Sequence, residues 1–162
     1  MALTETELEL AILDELRDHT VLSLAAIGDE GPHAVSLMYA HERFDIFWLS
    51  DPDTHHSRYL AANSRAAVTI AAQQEDFRSI RGLQMSGWAH RVSDPEQAAM
   101  AFELLKGRYP FLLRFGVGKL ARHLGAADVY RFRPTRLTLI DNSRGFGFKQ
   151  TLALQETYDD RF

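Results

Sequence analysis

The stretch from Val21 to Leu49, VLSLAAIGDEGPHAVSLMYAHERFDIFWL, decides how this chain folds. Val21 to Ile27 is an apolar run that reads as a buried strand. Gly28-Asp29-Glu30-Gly31-Pro32 then gathers the residue types that favour a tight turn. His33 to Tyr39 reads as the returning strand, His41-Glu42-Arg43 as a second short turn, and Phe44 to Leu49 as a third strand, aromatic and apolar throughout. Three strands at about ten-residue spacing, joined by short turns, predict an antiparallel meander or barrel.

On the N-terminal side, residues 4–18 predict a helix. Thr4 and Glu7 have capping-box spacing, and Leu8, Ile12 and Leu16 repeat every fourth residue. On the other side, Asp51-Pro52-Asp53 stops the third strand, and Thr54 to Asn63 reads as a short helix capped by Thr54 or Asp53. Ala66 to Ala72 predicts a strand, and Ser79 to Val92 a long one bent at Gly82 or Gly87. Asp94-Pro95 opens a helix ending near Gly107, and Pro110 opens another ending at Gly125. Val129 to Phe132 and Leu137 to Ile140 are the last strands, on either side of Pro134, and residues 141–162 form a glycine-rich, then polar, tail. The order β-β-β-α-β-β-α-α-β-β lacks the regular alternation of a doubly wound parallel sheet. An antiparallel barrel with attached helices, mainly β in the α+β class, is the expectation.

The chain has 162 residues, enough for one domain with its own core, and 46% of them are hydrophobic. With no cysteine, disulfides, thiolate metal sites, iron–sulfur clusters and cysteine nucleophiles are excluded, so any redox role needs a bound cofactor. A formal charge of −4 argues against a nucleic-acid binder. No apolar run approaches the roughly 18–20 residues of a membrane span. The acidic N-terminus lacks the basic region of a secretory signal, which makes the cytoplasm the expected location. Only 3 of the 18 basic residues are lysines; the other 15 are arginines, a bias that genomic GC content accounts for.

Nucleotide-binding loops are absent: Gly116-Val117-Gly118-Lys119 is too short for a P-loop, and Gly145-Phe146-Gly147 lacks the third glycine of a dinucleotide fingerprint. There is no nucleophile elbow and no zinc-protease motif. His55 and His56 are adjacent, so on a helix they point about 100° apart and do not make a metal pair. The informative segment is Asp51 to Arg58, where a strand meets a helix start. The unpaired N–H groups there, the hydroxyls of Thr54 and Ser57, and the bases His55, His56 and Arg58 would suit one phosphate group. The same residues also read as an ordinary capped surface helix, and composition does not choose between the two.

Over roughly residues 20–140 the chain resembles the FMN-binding split-barrel family that includes pyridoxamine 5′-phosphate oxidase. Thr54-His55-His56 stands where that family carries Ser/Thr-Arg-Lys, and Asn63-Ser64 where it carries Asn-Pro. Ile80-Arg81-Gly82-Leu83-Gln84-Met85-Ser86-Gly87 stands where it has an Arg/Gln strand ending in glycine. Together with Asp141 to Gly147, these features look like an uncharacterised oxidase-related subgroup. The resemblance implies a single domain over residues 1–162. Its six-stranded antiparallel split barrel spans about residues 20–140, with an N-terminal helix at 4–18 and a helical insert at 94–125.

It further implies a flavin-dependent oxidoreductase, acting as a homodimer with FMN at the interface and using a small-molecule substrate or nicotinamide donor. His33, Val35, Ser36 and Leu37 would run under the ring, Leu49 and Ser50 would touch the ring or ribityl chain, and Thr54, His55, His56 and Arg58 would hold the phosphate. Gln84 would reach the polar edge of the ring, and Arg144 would close the site from either subunit. A deazaflavin coenzyme in place of FMN, or a non-catalytic flavin or haem carrier, is the alternative. For haem the available axial histidines are His19, His33, His41, His90 and His123. Histidines in place of Arg-Lys imply phosphate affinity that falls as pH rises through about 6–8. The vitamin enzyme's C-terminal substrate segment has no counterpart after Asp141.

Overall fold

Burial alternates strictly along Val21–Gly28 (β1): Leu22, Leu24 and Ala26 point inward, while Val21, Ser23, Ala25 and Ile27 point outward. The same period-2 pattern in Arg65–Ala71 (β5) buries Ala66, Val68 and Ile70. These faces belong to one antiparallel sheet in a computed structural model that describes residues 1–115 and 127–155. The remaining strands are Gly31–Met38 (β2), Ala40–Glu42 (β3), Asp45–Ser50 (β4), Arg81–Arg91 (β6), Asp128–Asp141 (β7) and Lys149–Ala153 (β8). Their order is β2-β1-β5-β6-β7-β4-β3, with β8 added on β7. The sheet curls into a half-barrel whose interior is filled by Leu24, Ile46, Trp48, Ile70, Leu83 and Phe132, each 1% exposed or less. Burying each such side chain contributes about 1.5–3 kcal/mol.

Among the described residues three α-helices flank the sheet: Glu5–Asp18 (α1), His55–Ala62 (α2) and Pro95–Arg108 (α3). The expected capping box starts α1, with Thr4 N donating to Glu7 Oε2 at 2.8 Å and Glu7 N to Thr4 Oγ1 at 3.3 Å. Leu8, Ile12 and Leu16 place its apolar face on the core. Glu15, buried on the same helix, pairs with Arg81 of β6 at 2.7 Å. The far end of α1 is capped from α3, where Arg108 donates to the carbonyls of Leu16, Arg17 and His19.

The structure corrects several expectations. The mainly antiparallel split-barrel class holds, and among the described residues the sheet has eight strands where six were expected. The segment read as the turn His41-Glu42-Arg43 begins within β3, which is too short to carry a periodic signal, and the expected tail contains β8, which buries only Leu152. The last two expected strands are one, because β7 runs straight through Pro134. Pro134 lies opposite Gly87 at a register shift between Ser86 and Gly87, where a residue without an N–H costs the ladder little. A Cβ on Gly87 would stand 2.1 Å from the Arg133 carbonyl oxygen, so only glycine permits this approach. Pro110–Phe115 is a 3-10 segment rather than the start of an α-helix, and the rest of the expected helix, residues 116–125, lies outside the described residues.

The outer face of the sheet is left open. Register partners share a face, so Ser36, Ser23, Thr69, Gln84, Thr138 and Thr151 form one row across six strands. Ala34, Ala25, Ala67 and Ser86 form the adjacent row. Val21, Ile27 and Met38 on the same face are 45–50% exposed. The adjacent row continues from Ser86 to exposed Arg136 of β7 and Ala153 of β8, and exposed Arg65 of β5 lies on the same face.

Candidate functional site

The local sequence builds the start of α2 one bond at a time. Asp51 closes a turn by accepting from Asp53 N at 2.8 Å, and its carbonyl accepts from Thr54 N at 3.2 Å. Thr54, in extended conformation, is the N-cap and accepts from Ser57 N at 3.4 Å. The first turn holds no acidic residue, so the positive end of the helix dipole is not offset from within α2.

The two consecutive histidines separate here. His56 turns inward to 6% exposure, and its Nε2 lies 2.6 Å from Ser50 Oγ on β4 and 3.3 Å from Thr54 Oγ1. Burial, and secondarily the charge on His33, hold the His56 pKa below the ordinary histidine value. The tautomer of the ring sets the direction of the Ser50–His56 bond, while Ser50 Oγ accepts from Ser57 at 3.3 Å. Thr54 Oγ1 lies 2.8 Å from Ser57 Oγ and completes a small hydroxyl–imidazole cluster.

His55 turns outward and meets His33 of β2, with ring centroids 5.7 Å apart at 84°. Tyr59, one turn along α2, stacks on His55 at 6.2 Å and 19° and meets His33 edge-on at 6.1 Å. Tyr59 lies over the end of β1 because that position is Gly28, where a Cβ would stand 2.4 Å from the Tyr59 ring. Arg58 is exposed on the same helix, and its guanidinium makes no ion pair among the described residues.

Of the residues expected at the site, the structure brings Ser50, Thr54 and His56 into contact, and separately His33 and His55. Val35 and Leu37 are half-buried against the core on the His33 side of β2, whereas Ser36 faces the opposite side. Leu49 packs toward α3 rather than toward Ser50. Gln84 lies in the outer-face row between Thr69 and Thr138. Arg144 lies beyond the end of β7, 2.9 Å from buried Asp141 and over the Phe148 ring. Ser57, read from the sequence as a hydroxyl donor for phosphate, instead spends its hydroxyl inside the cluster with Thr54 and Ser50, and Tyr59 and Gly28 were not singled out as site residues. The signal for Tyr59 was its i+4 spacing from His55, which puts both rings on one helix face.

Two grooves lie near these residues. One of about 340 Å³ opens on the outer face between Ile27, Pro32, Arg65, Ser86 and Trp88, with Arg65 stacked over Trp88 at 5.6 Å. The other, of about 350 Å³, runs beside α2 between Pro52, Ser57, Leu60, Arg91 and Tyr130. No helix among the described residues is long and apolar enough to cross a membrane.

Comparison with known proteins follows the same lines. The family model described as pyridoxamine 5′-phosphate oxidase matches residues 8–141. A UPF0306 protein of Klebsiella pneumoniae (strain 342) is 30% identical over 112 residues, 69% of each chain. Among solved structures, a haem-binding protein from Mycobacterium smegmatis superposes with TM-score 0.71 at 19% identity, covering 94% of this chain and 59% of that one. The haem storage protein HutZ of Vibrio cholerae gives TM-score 0.62 at 17% identity, covering 78% and 89%. At these identities the two structures share the fold with this chain.

Proposed function

The chain belongs to the pyridoxamine 5′-phosphate oxidase family, and from that premise we propose that it is a flavoprotein, binding FMN as a homodimer and working as an oxidoreductase. The observation that supports this most is the start of α2: free N–H groups, no acidic residue in the first turn, and exposed His55 and Arg58 beside them. That donor set fits a phosphate monoester. Thr54 shapes the turn, the backbone N–H groups and Arg58 hold the anion, and His55 adds a donor. Buried, uncharged His56 acts from behind by fixing Ser50 and Thr54. Bound flavin would supply the hydride chemistry, and the protein would bind and orient it. The outer face, built of small and polar side chains with Arg65 and Arg136 among them, is the surface for a second copy. Gln84 lies on it, so its part in the site belongs to the dimer.

Haem is a second reading, favoured by the two haem proteins of like fold and by one structural detail. Among the histidines weighed as axial ligands, His19 is held by Glu15 at 3.1 Å and His41 by the Arg43 carbonyl at 2.9 Å. His123 lies outside the described residues, and His90 is half-buried with its pKa lowered by burial and by Arg131 and Arg133. His33 makes ring contacts only. The visible spectrum of the purified protein decides between the readings. A two-band flavin spectrum, bleached by NADH or NADPH, supports the first; a Soret band supports the second. A protein that is colourless and stays so after FMN is added contradicts the flavin reading.

A further inference from the structure

We propose that His33 and His55 together form a binding site for a divalent transition metal of the imidazole-preferring class, Cu(II) first among them. A metal about 2.0–2.1 Å from one nitrogen of each ring would hold the two ring centres roughly 5–6.4 Å apart. The observed separation is 5.7 Å. Neither imidazole makes a hydrogen bond among the described residues, so on each a nitrogen is available. The rings come from β2 and α2, so their approach is set by the fold rather than by one flexible segment. Tyr59 braces both rings, and Gly28 gives Tyr59 the room to do so. These ring contacts restrict the rotation of both imidazoles.

Two neutral nitrogen ligands select copper, nickel and zinc over the hard cations, with Cu(II) strongest. Among the described residues no group of three or more His, Cys, Asp or Glu side chains surrounds a common point. Water therefore fills the remaining positions, which makes the site open and exchangeable. The site shares His55 with the proposed phosphate contact but does not depend on it: metal and phosphate would compete there.

The test uses the full chain without an affinity tag. Cu(II), Zn(II) and Mg(II) are titrated by calorimetry, and substoichiometric Cu(II) is followed by broadening of histidine ring resonances. The expected result is one Cu(II) per chain, weaker Zn(II) and no Mg(II), with broadening confined to His33, His55 and the neighbouring Tyr59. His33→Gln and His55→Gln should each weaken Cu(II) binding about tenfold or more. His55 is exposed, so His55→Gln keeps the fold and remains informative if His33→Gln does not. Absent binding, broadening centred on other histidines, or wild-type affinity in His55→Gln would each overturn the proposal. Repeating the titration with excess FMN keeps the two readings apart, since failure of flavin to bind leaves the copper result standing.

Discussion

His56 Nε2 lies 2.6 Å from Ser50 Oγ, and that bond turns one member of a consecutive histidine pair into the protein while its neighbour faces solvent. The two positions therefore have different physical duties. His56 is a buried hydrogen-bonding ring that fastens α2 to β4; His55 is a surface ring available to ligands.

Burial lowers the pKa of His56, and also of His41 and His90. A group whose folded pKa lies below its unfolded one stabilises the fold fully above the unfolded value, about 6.5 for histidine, and loses that stability as pH falls through the folded value. The contribution of these histidines to thermal stability, read from melting curves, should thus be flat from pH 8 to 7 and fall on acidification below about 6.5. In His56→Gln, which keeps a polar contact to Ser50 but cannot titrate, the fall should be shallower. An unchanged acid slope would show that His56 is not among its causes.

Arg108 should be a large single contributor to stability. It donates to three carbonyls at the end of α1 and lies 5.0 Å over the Tyr39 ring. Arg108→Ala strands those carbonyls, and about 1–3 kcal/mol should be lost. Chemical denaturation measures it. Arg108→Lys keeps the charge without the planar fork and should recover only part of the loss.

The outer face should carry the homodimer. Ala67 stands between Ala25 and Ser86 in a run of small side chains, so Ala67→Glu places a bulky carboxylate at the centre of that surface. The variant should sediment as a folded monomer where the wild type sediments as a dimer. A dimer unaffected by this charge would place the interface elsewhere.

Gly28 should tolerate no side chain while Tyr59 is present. A Cβ there meets the Tyr59 ring at 2.4 Å, and Gly28→Ala should cost about 1–3 kcal/mol as overpacking does. Adding Tyr59→Ala should return part of that loss, an interaction that a double-mutant cycle isolates.

What was legible in the sequence was what short-range chemistry determines. The Thr4–Glu7 box, the turn around Gly28 to Gly31 and the Thr54 cap were readable because each is closed within a few residues. The side to which His56 turns was not, because it depends on Ser50 arriving from another strand. The continuity of β7 was hidden by Pro134, whose tolerance rests on Gly87 across the sheet. Ser50, expected at the ring or ribityl chain, and Thr54 and His56, expected at the phosphate, meet in one cluster. Their arrangement as an inward cluster, with Tyr59 bridging His55 and His33, is tertiary and has no local signature.

Whether the start of α2 holds the phosphate of a flavin is tested most directly by an FMN titration. Flavin fluorescence is followed as wild-type protein and Arg58→Glu are added. The wild type should quench it saturably, and Arg58→Glu, which sets a carboxylate against the phosphate, should bind about tenfold more weakly or worse at unchanged melting temperature. No saturable quenching by the wild type, or equal affinity in Arg58→Glu, would contradict the account.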